Sequence, residues 1–326
     1  MKRGLFVISL DFELLWGVRD KRTIESYGAN LRGVRQVIPS LLELFDASEI
    51  HATFARVGFL FARDKKELLA HIPSVLPEYV HKKYSPYEGQ YLDRIGESEL
   101  DDQYHYAPSL IRMIRDAGQE IASHTFSHYY CLENASLASF EADLQAAKKI
   151  AALYGVDLKS IVFPRNQYSP AHLAICSKLG FTSYRGNEHS AIYQPRKNED
   201  LDRKVRAVKF ADSYANLTGH HTFAIADKED IVNIPASRFL RPYSKRLSLI
   251  DPLRLQRIRS SMRYAAENNE AYHLWWHPHN FGINIADNLK FLSAILEYYR
   301  ELQKEYGMES KCMKEIAEEI LIANGV

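Results

Sequence analysis

Residues 5–10, Leu-Phe-Val-Ile-Ser-Leu, form a near-continuous apolar and β-favouring run. A strand with one wet face alternates apolar and polar residues. A run without that alternation fits a strand buried on both faces, as in a parallel sheet covered by helices. The rest of the chain keeps to this pattern. Further strands are expected at 52–55, 159–163, 181–184, 231–234 and 271–276, with a short one ahead of His124. Helical patterns lie between them at 30–47, 108–117, 136–154, 170–179 and 251–268, and 285–306 and 314–323 close the chain. In the first of these, Pro39 predicts a kink or a two-part helix. Strands alternating with helices give a mostly parallel α/β fold.

Two stretches depart from the alternation. Residues 62–106 hold three prolines and six tyrosines without periodicity and read as an inserted lid or loop region. Residues 187–230 show no readable pattern. No repeat or linker marks a boundary, so residues 1–326 are taken as a single catalytic domain, with C-terminal helices at about 285–326.

Polar clusters stand at the ends of at least four expected strands: Asp11 and Glu13, His124 and His128, Arg165 and Asn166, His277 and His279. In α/β folds such ends converge on one mouth, where the chemistry sits. Asp11 and Glu13 are two apart, so both can point to one face of a strand. His124 and His128 are four apart. On a helical turn that spacing places both rings on one side, where they can bind one metal ion. Two imidazoles and a carboxylate leave an open position, the donor set of a hydrolytic zinc site.

Composition narrows the alternatives. Lys and Arg number 42 against 41 Asp and Glu, so no global field points to nucleic acid or an anionic membrane. Cys131, Cys176 and Cys312 are far apart, which indicates neither a disulfide framework nor a thiolate site. Asp11 and Glu13 interrupt the N-terminal apolar run, and no stretch approaches the ~18 apolar residues of a membrane span. A cytoplasmic protein is expected. No GxGxxG or GxxxxGK[ST] motif supports a nucleotide enzyme.

These motifs, in this order across residues 5–282, resemble those of the polysaccharide deacetylases, the NodB-homology domain of carbohydrate esterase family 4. Ser9-Leu10-Asp11-Phe12-Glu13 resembles the family's Thr-Phe-Asp-Asp motif, and residues 52–58 its Ala-Thr-Phe-Phe-x-x-Gly strand. His124-Thr125-Phe126-Ser127-His128 is similar to its His-Thr/Ser-x-x-His metal motif. Pro164-Arg165-Asn166-Gln167 stands where an Arg-Pro motif lies, and Leu274-Trp275-Trp276-His277 matches Leu-x-x-His.

The resemblance implies a distorted (β/α)7-type barrel and a divalent metal, usually Zn2+. It implies Glu13, His124 and His128 as ligands, Asp11 as the base, Arg165 holding Asp11, and His277 as the acid. Asn166, Trp276 and His279 are expected at the substrate, with His279 a second candidate for the acid. Asp-Phe-Glu departs from Asp-Asp, and Pro-Arg inverts Arg-Pro. The implied reaction is hydrolysis of an N-acyl group, foremost N-acetyl, from an amino sugar. Cytoplasmic placement favours a nucleotide- or lipid-linked sugar, or an intermediate of surface-polysaccharide biosynthesis. An N-deformylase or cyclic-amide hydrolase on the same scaffold, and a non-catalytic saccharide-binding protein, are the alternatives.

Overall fold

The structure is a computed structural model and describes residues 3–193, 203–224 and 231–323. Eight strands form one curled, wholly parallel sheet in the order β6-β5-β4-β3-β2-β1-β8-β7. They are β1 (Leu5–Phe12), β2 (Ala52–Arg56), β3 (Glu120–Ser123), β4 (Ser160–Ile161), β5 (Ser183–Tyr184), β6 (Val232–Asn233), β7 (Arg238–Phe239) and β8 (Ala271–Trp276). A ninth, β9 (Glu309–Ser310), pairs with β1. Helices α1 (Ile24–Ala47), α2 (Lys65–Ala70), α3 (Pro108–Asp116), α4 (Leu137–Ala152), α5 (Pro170–Lys178), α6 (Arg203–Asp212), α7 (Asp251–Asn268), α8 (Ile285–Tyr306) and α9 (Met313–Ala323) complete the chain. This is the distorted (β/α) barrel that the sequence predicts.

The period-2 rule divides β1 between two cores. Phe6, Ile8, Leu10 and Phe12 pack outward with Val34, Leu41, Leu144 and Ile295 of the helical layer. Leu5 and Val7 face inward with Ala55, Ala122 and Val162, and α9 fills that interior with Met313, Ile316, Ala317 and Ile320. Above this plug, towards the C-terminal strand ends, the inward positions turn polar: Ser9, Asp11, Glu13, His124, Arg185 and His273 are all buried. Buried polar groups persist only where partners satisfy them. Their concentration at one end of the barrel locates the site.

Two sequence expectations change here. Helix α1 is continuous through Pro39 and starts at Ile24, because Thr23 and Ser26 form a capping box ahead of the apolar stripe. Part of the unreadable stretch 187–230 folds as α6, whose Asp212 is buried between Arg238 and Arg257; the remainder, 194–202 and 225–230, lies outside the described residues.

Candidate active site

Glu13 leaves the end of β1 just before a 3-10 turn, Leu14–Gly17. Its Oε2 lies 3.0 Å from His128 Nε2 and 3.3 Å from His124 Nε2. All three side chains are buried, and their ligand atoms lie within 4.8 Å of one another. Metal–ligand bonds of about 2.0–2.2 Å in tetrahedral array put neighbouring donors about 3.4 Å apart. The group therefore fits one divalent ion. Burial opposes charge on Glu13, yet His277 and hydrogen bonds from His124 and His128 hold its pKa well below the carboxylate range. Burial also lowers the pKa of His128. Both shifts favour the forms that bind metal.

The sequence places the histidines correctly beyond a strand end, but not on a helical turn. Residues 124–130 form an irregular loop, with Thr125 at φ 63° and His128 at φ 58°. Asp143 of α4 pins the loop, accepting from Phe126 N at 2.6 Å, Ser127 N at 3.1 Å and the Ser127 hydroxyl. Thr125 Oγ1 accepts from Tyr129 N at 2.7 Å. His124 Nδ1 lies 2.8 Å from Val162 O. A carbonyl only accepts, so Nδ1 carries a proton, and Nε2, the atom that faces Glu13, is the one that would meet a metal.

Asp11 is held by Arg185, not by Arg165. Arg185 Nη1 donates to Oδ1 at 2.6 Å and Nη2 to Oδ2 at 2.8 Å. The same guanidinium donates to Ser9 Oγ at 3.0 Å and Asn166 Oδ1 at 2.8 Å. Burial raises the Asp11 pKa, but Arg185, His124 and His277 outweigh it and the net shift is downward. Arg165 is turned elsewhere because Arg165 and Asn166 both adopt left-handed φ, 57° and 53°. It reaches Asp20 at 2.7 Å and Glu133 at 3.3 Å instead. Arg185 directly follows β5, so its position at a strand end is the sequence signal that marks it. A second unforeseen group, His273, takes part through Ser9: its Nε2 stands 2.8 Å from Ser9 Oγ and its Nδ1 3.2 Å from Ile234 O.

Residues 30–184 match the family model for polysaccharide deacetylase. Over that segment the chain is similar to the polysaccharide deacetylases. Among solved structures it resembles a candidate polysaccharide deacetylase from Mycobacterium smegmatis, at 16% identity and TM-score 0.58, covering 98% of this chain and 92% of that one. It also resembles the allantoinase Puue, at 12% identity and TM-score 0.57 over 98% and 90% of the two chains. A candidate polysaccharide deacetylase from Pseudomonas aeruginosa PAO1 aligns at 12% identity and TM-score 0.57 over 97% and 90%. At these identities the likeness is one of fold. A search of curated proteins by sequence gives no significant match.

The Glu13–His124–His128 group opens into a cleft of about 480 Å³. His277 lines it, with Nε2 3.5 Å from Glu13 Oε1 and 3.8 Å from Asp11 Oδ2. His279 lines it too and stacks on His277 at 5.0 Å. Its loop is clamped to α1, where Asn30 Nδ2 donates to His279 O at 3.2 Å and a Cβ on Gly282 would stand 1.9 Å from Asn30 O. Burial, with His277 adding, pushes the His279 pKa down to about 3.

Trp276, expected at the substrate, faces the outer core and stacks on Phe281. The register explains it: Ser9 pairs with Trp275 and Leu10 with Trp276, so Trp275 shares the inward face. Trp275 lines the cleft beside Phe239. Asn166 lines it as well, although its Oδ1 serves Arg185. None of residues 62–106 lines the cleft. The insertion packs against the wall formed by residues 17–22, where Arg19 donates to the carbonyls of Lys83 and Tyr84.

Proposed function

We propose that this protein is a metal-dependent hydrolase that removes an N-acyl group, foremost N-acetyl, from an amino sugar. The buried Glu13–His124–His128 group carries this reading, with Asp11 and His277 both within reach of it. When bound, a divalent ion, foremost Zn2+, would polarise the acyl carbonyl and ease deprotonation of water. Arg185 keeps Asp11 ionised and fixes its plane, and Asp11 takes the water proton on Oδ2. His277 Nε2 stands 3.8 Å from that oxygen, so a single reacting centre spans both groups. His277 gives its proton to the departing nitrogen. His279, with its pKa near 3, is neutral at pH 7 and lacks the acidic imidazolium proton that the step needs. Trp275 and Phe239 supply aromatic surface suited to a sugar ring.

N-formyl removal from a sugar and cyclic-amide opening need the same groups, and the aromatic wall supports a saccharide over a cyclic amide. The test is metal content of protein purified without added metal, beside His128→Ala, followed by an N-acyl sugar panel scored for acetate, formate and ring opening. About one divalent ion per chain, lost in the variant, and acetate release are expected. A wild-type protein that refuses zinc, cobalt and nickel overturns the reading in favour of saccharide binding alone.

A further inference from the structure

One wall of the cleft is built by the segment 17–22, Gly-Val-Arg-Asp-Lys-Arg, through Gly17, Val18, Lys21 and Arg22. The segment is fixed. Arg19 N donates to Leu15 O at 2.8 Å, Lys21 N to Val18 O at 2.9 Å and Arg22 N to Val18 O at 2.8 Å. Its charges are distributed unevenly. Asp20 is the segment's single acid, and it is consumed by Arg165. Arg19 is committed to carbonyls of the insertion. Lys21 and Arg22 line the cleft and are exposed, and neither meets a carboxylate among the described residues. Arg22 rests its guanidinium 5.6 Å from the Tyr27 ring, which lies 5.5 Å from His279. These contacts join Arg22 to His279, which stacks on His277.

The acids of the cleft do not offset them. Asp11 is neutralised by Arg185, and Glu13 belongs to the metal position. Beyond that centre the cleft presents net positive charge on an ordered turn, where recognition of an anion costs little further ordering. A neutral saccharide offers Lys21 and Arg22 hydroxyl and carbonyl acceptors but no opposite charge.

Building on the hydrolase reading above, we propose that the substrate is an N-acylated amino sugar bearing an anionic group, a phosphate or a carboxylate, which Lys21 and Arg22 receive. Both cations donate charge-assisted hydrogen bonds to such an oxyanion, and Arg22 does so in bidentate form.

The test uses metal-loaded full-length protein and the double variant Lys21→Ser/Arg22→Ser, whose fold is checked by thermal melting. Binding is measured by calorimetry for N-acetylglucosamine, its 1-phosphate, its uridine diphosphate conjugate and a disaccharide carrying a neighbouring uronate. Acyl release is followed on the same four. The wild type is expected to bind at least one anionic sugar about tenfold or more tightly than the neutral one, a preference that collapses in the variant through KM more than kcat. Preference for the phosphates or for the uronate identifies the source of the charge. Equal binding of neutral and anionic sugars overturns the proposal, as does an anionic preference that survives in the variant. Inorganic phosphate binding as tightly as a sugar phosphate overturns it as well. A charge preference lost in the variant, with no acyl release from any sugar, supports this proposal while sinking the hydrolase reading.

Discussion

Arg185 grips Asp11 with both terminal nitrogens, at 2.6 and 2.8 Å, and both side chains are buried. The pair joins the ends of β5 and β1, which have three strands between them in the sheet. Breaking a buried pair leaves an uncompensated charge, which costs about 3–5 kcal/mol. It also frees the carboxylate to turn.

Arg185→Lys keeps the charge and loses the fork. Its kcat on the best acyl sugar is expected to fall by about 100-fold or more, with metal content retained. Arg165→Ala, which unpairs Asp20 and Glu133 rather than Asp11, is expected to change stability or KM more than kcat. Steady-state kinetics on the two variants decide between them, and the reverse order would return the positioning role to Arg165.

Gly17 follows Glu13 across the 3-10 turn, and a Cβ there would stand 1.9 Å from Glu13 Cδ. No rotamer of alanine avoids that contact, so Gly17→Ala must displace the ligand carboxylate. Metal affinity is expected to drop about 10–100-fold, the usual effect of disturbing a ligand's support. A chelator competition titration reads it; unchanged affinity would remove Glu13 from the ligand set.

His273 is buried in a chain of hydrogen bonds, and burial, with Arg185 adding, pushes its pKa down to about 3. Its unfolded value lies near 6.5, so between these limits the unfolded chain binds the extra proton. The stability tied to neutral His273 is fully present above pH 6.5 and is lost as pH falls towards 3. Urea midpoints at pH 7 and pH 5 should separate by less in His273→Gln, which takes up no such proton, than in the wild type. Equal separations would show that His273 is already protonated within the fold.

The local signals in this sequence were sufficient for much of the site. The unbroken apolar run 5–10 required a strand covered on both faces, and the polar residues closing successive strands marked one mouth. Period 2 put Asp11 and Glu13 on one face, and the histidine spacing put two rings within reach of one ion. These features depend on neighbours a few residues away, so sequence suffices to read them.

What stayed hidden depends on distant strands and on backbone conformation. Whether Trp275 or Trp276 faces the cleft is fixed by the register of β8 on β1, since one residue's slip exchanges the two faces. Left-handed φ at Arg165 and Asn166 sends one arginine away, while β5 delivers the other to Asp11. Asp143 holds the histidine loop from a separate helix, and the 17–22 turn becomes a cleft wall only because the insertion stands behind it. Sequence determined which chemistry the strand ends can carry. Tertiary structure decided which side chains meet, because each of those contacts closes across the barrel rather than along the chain.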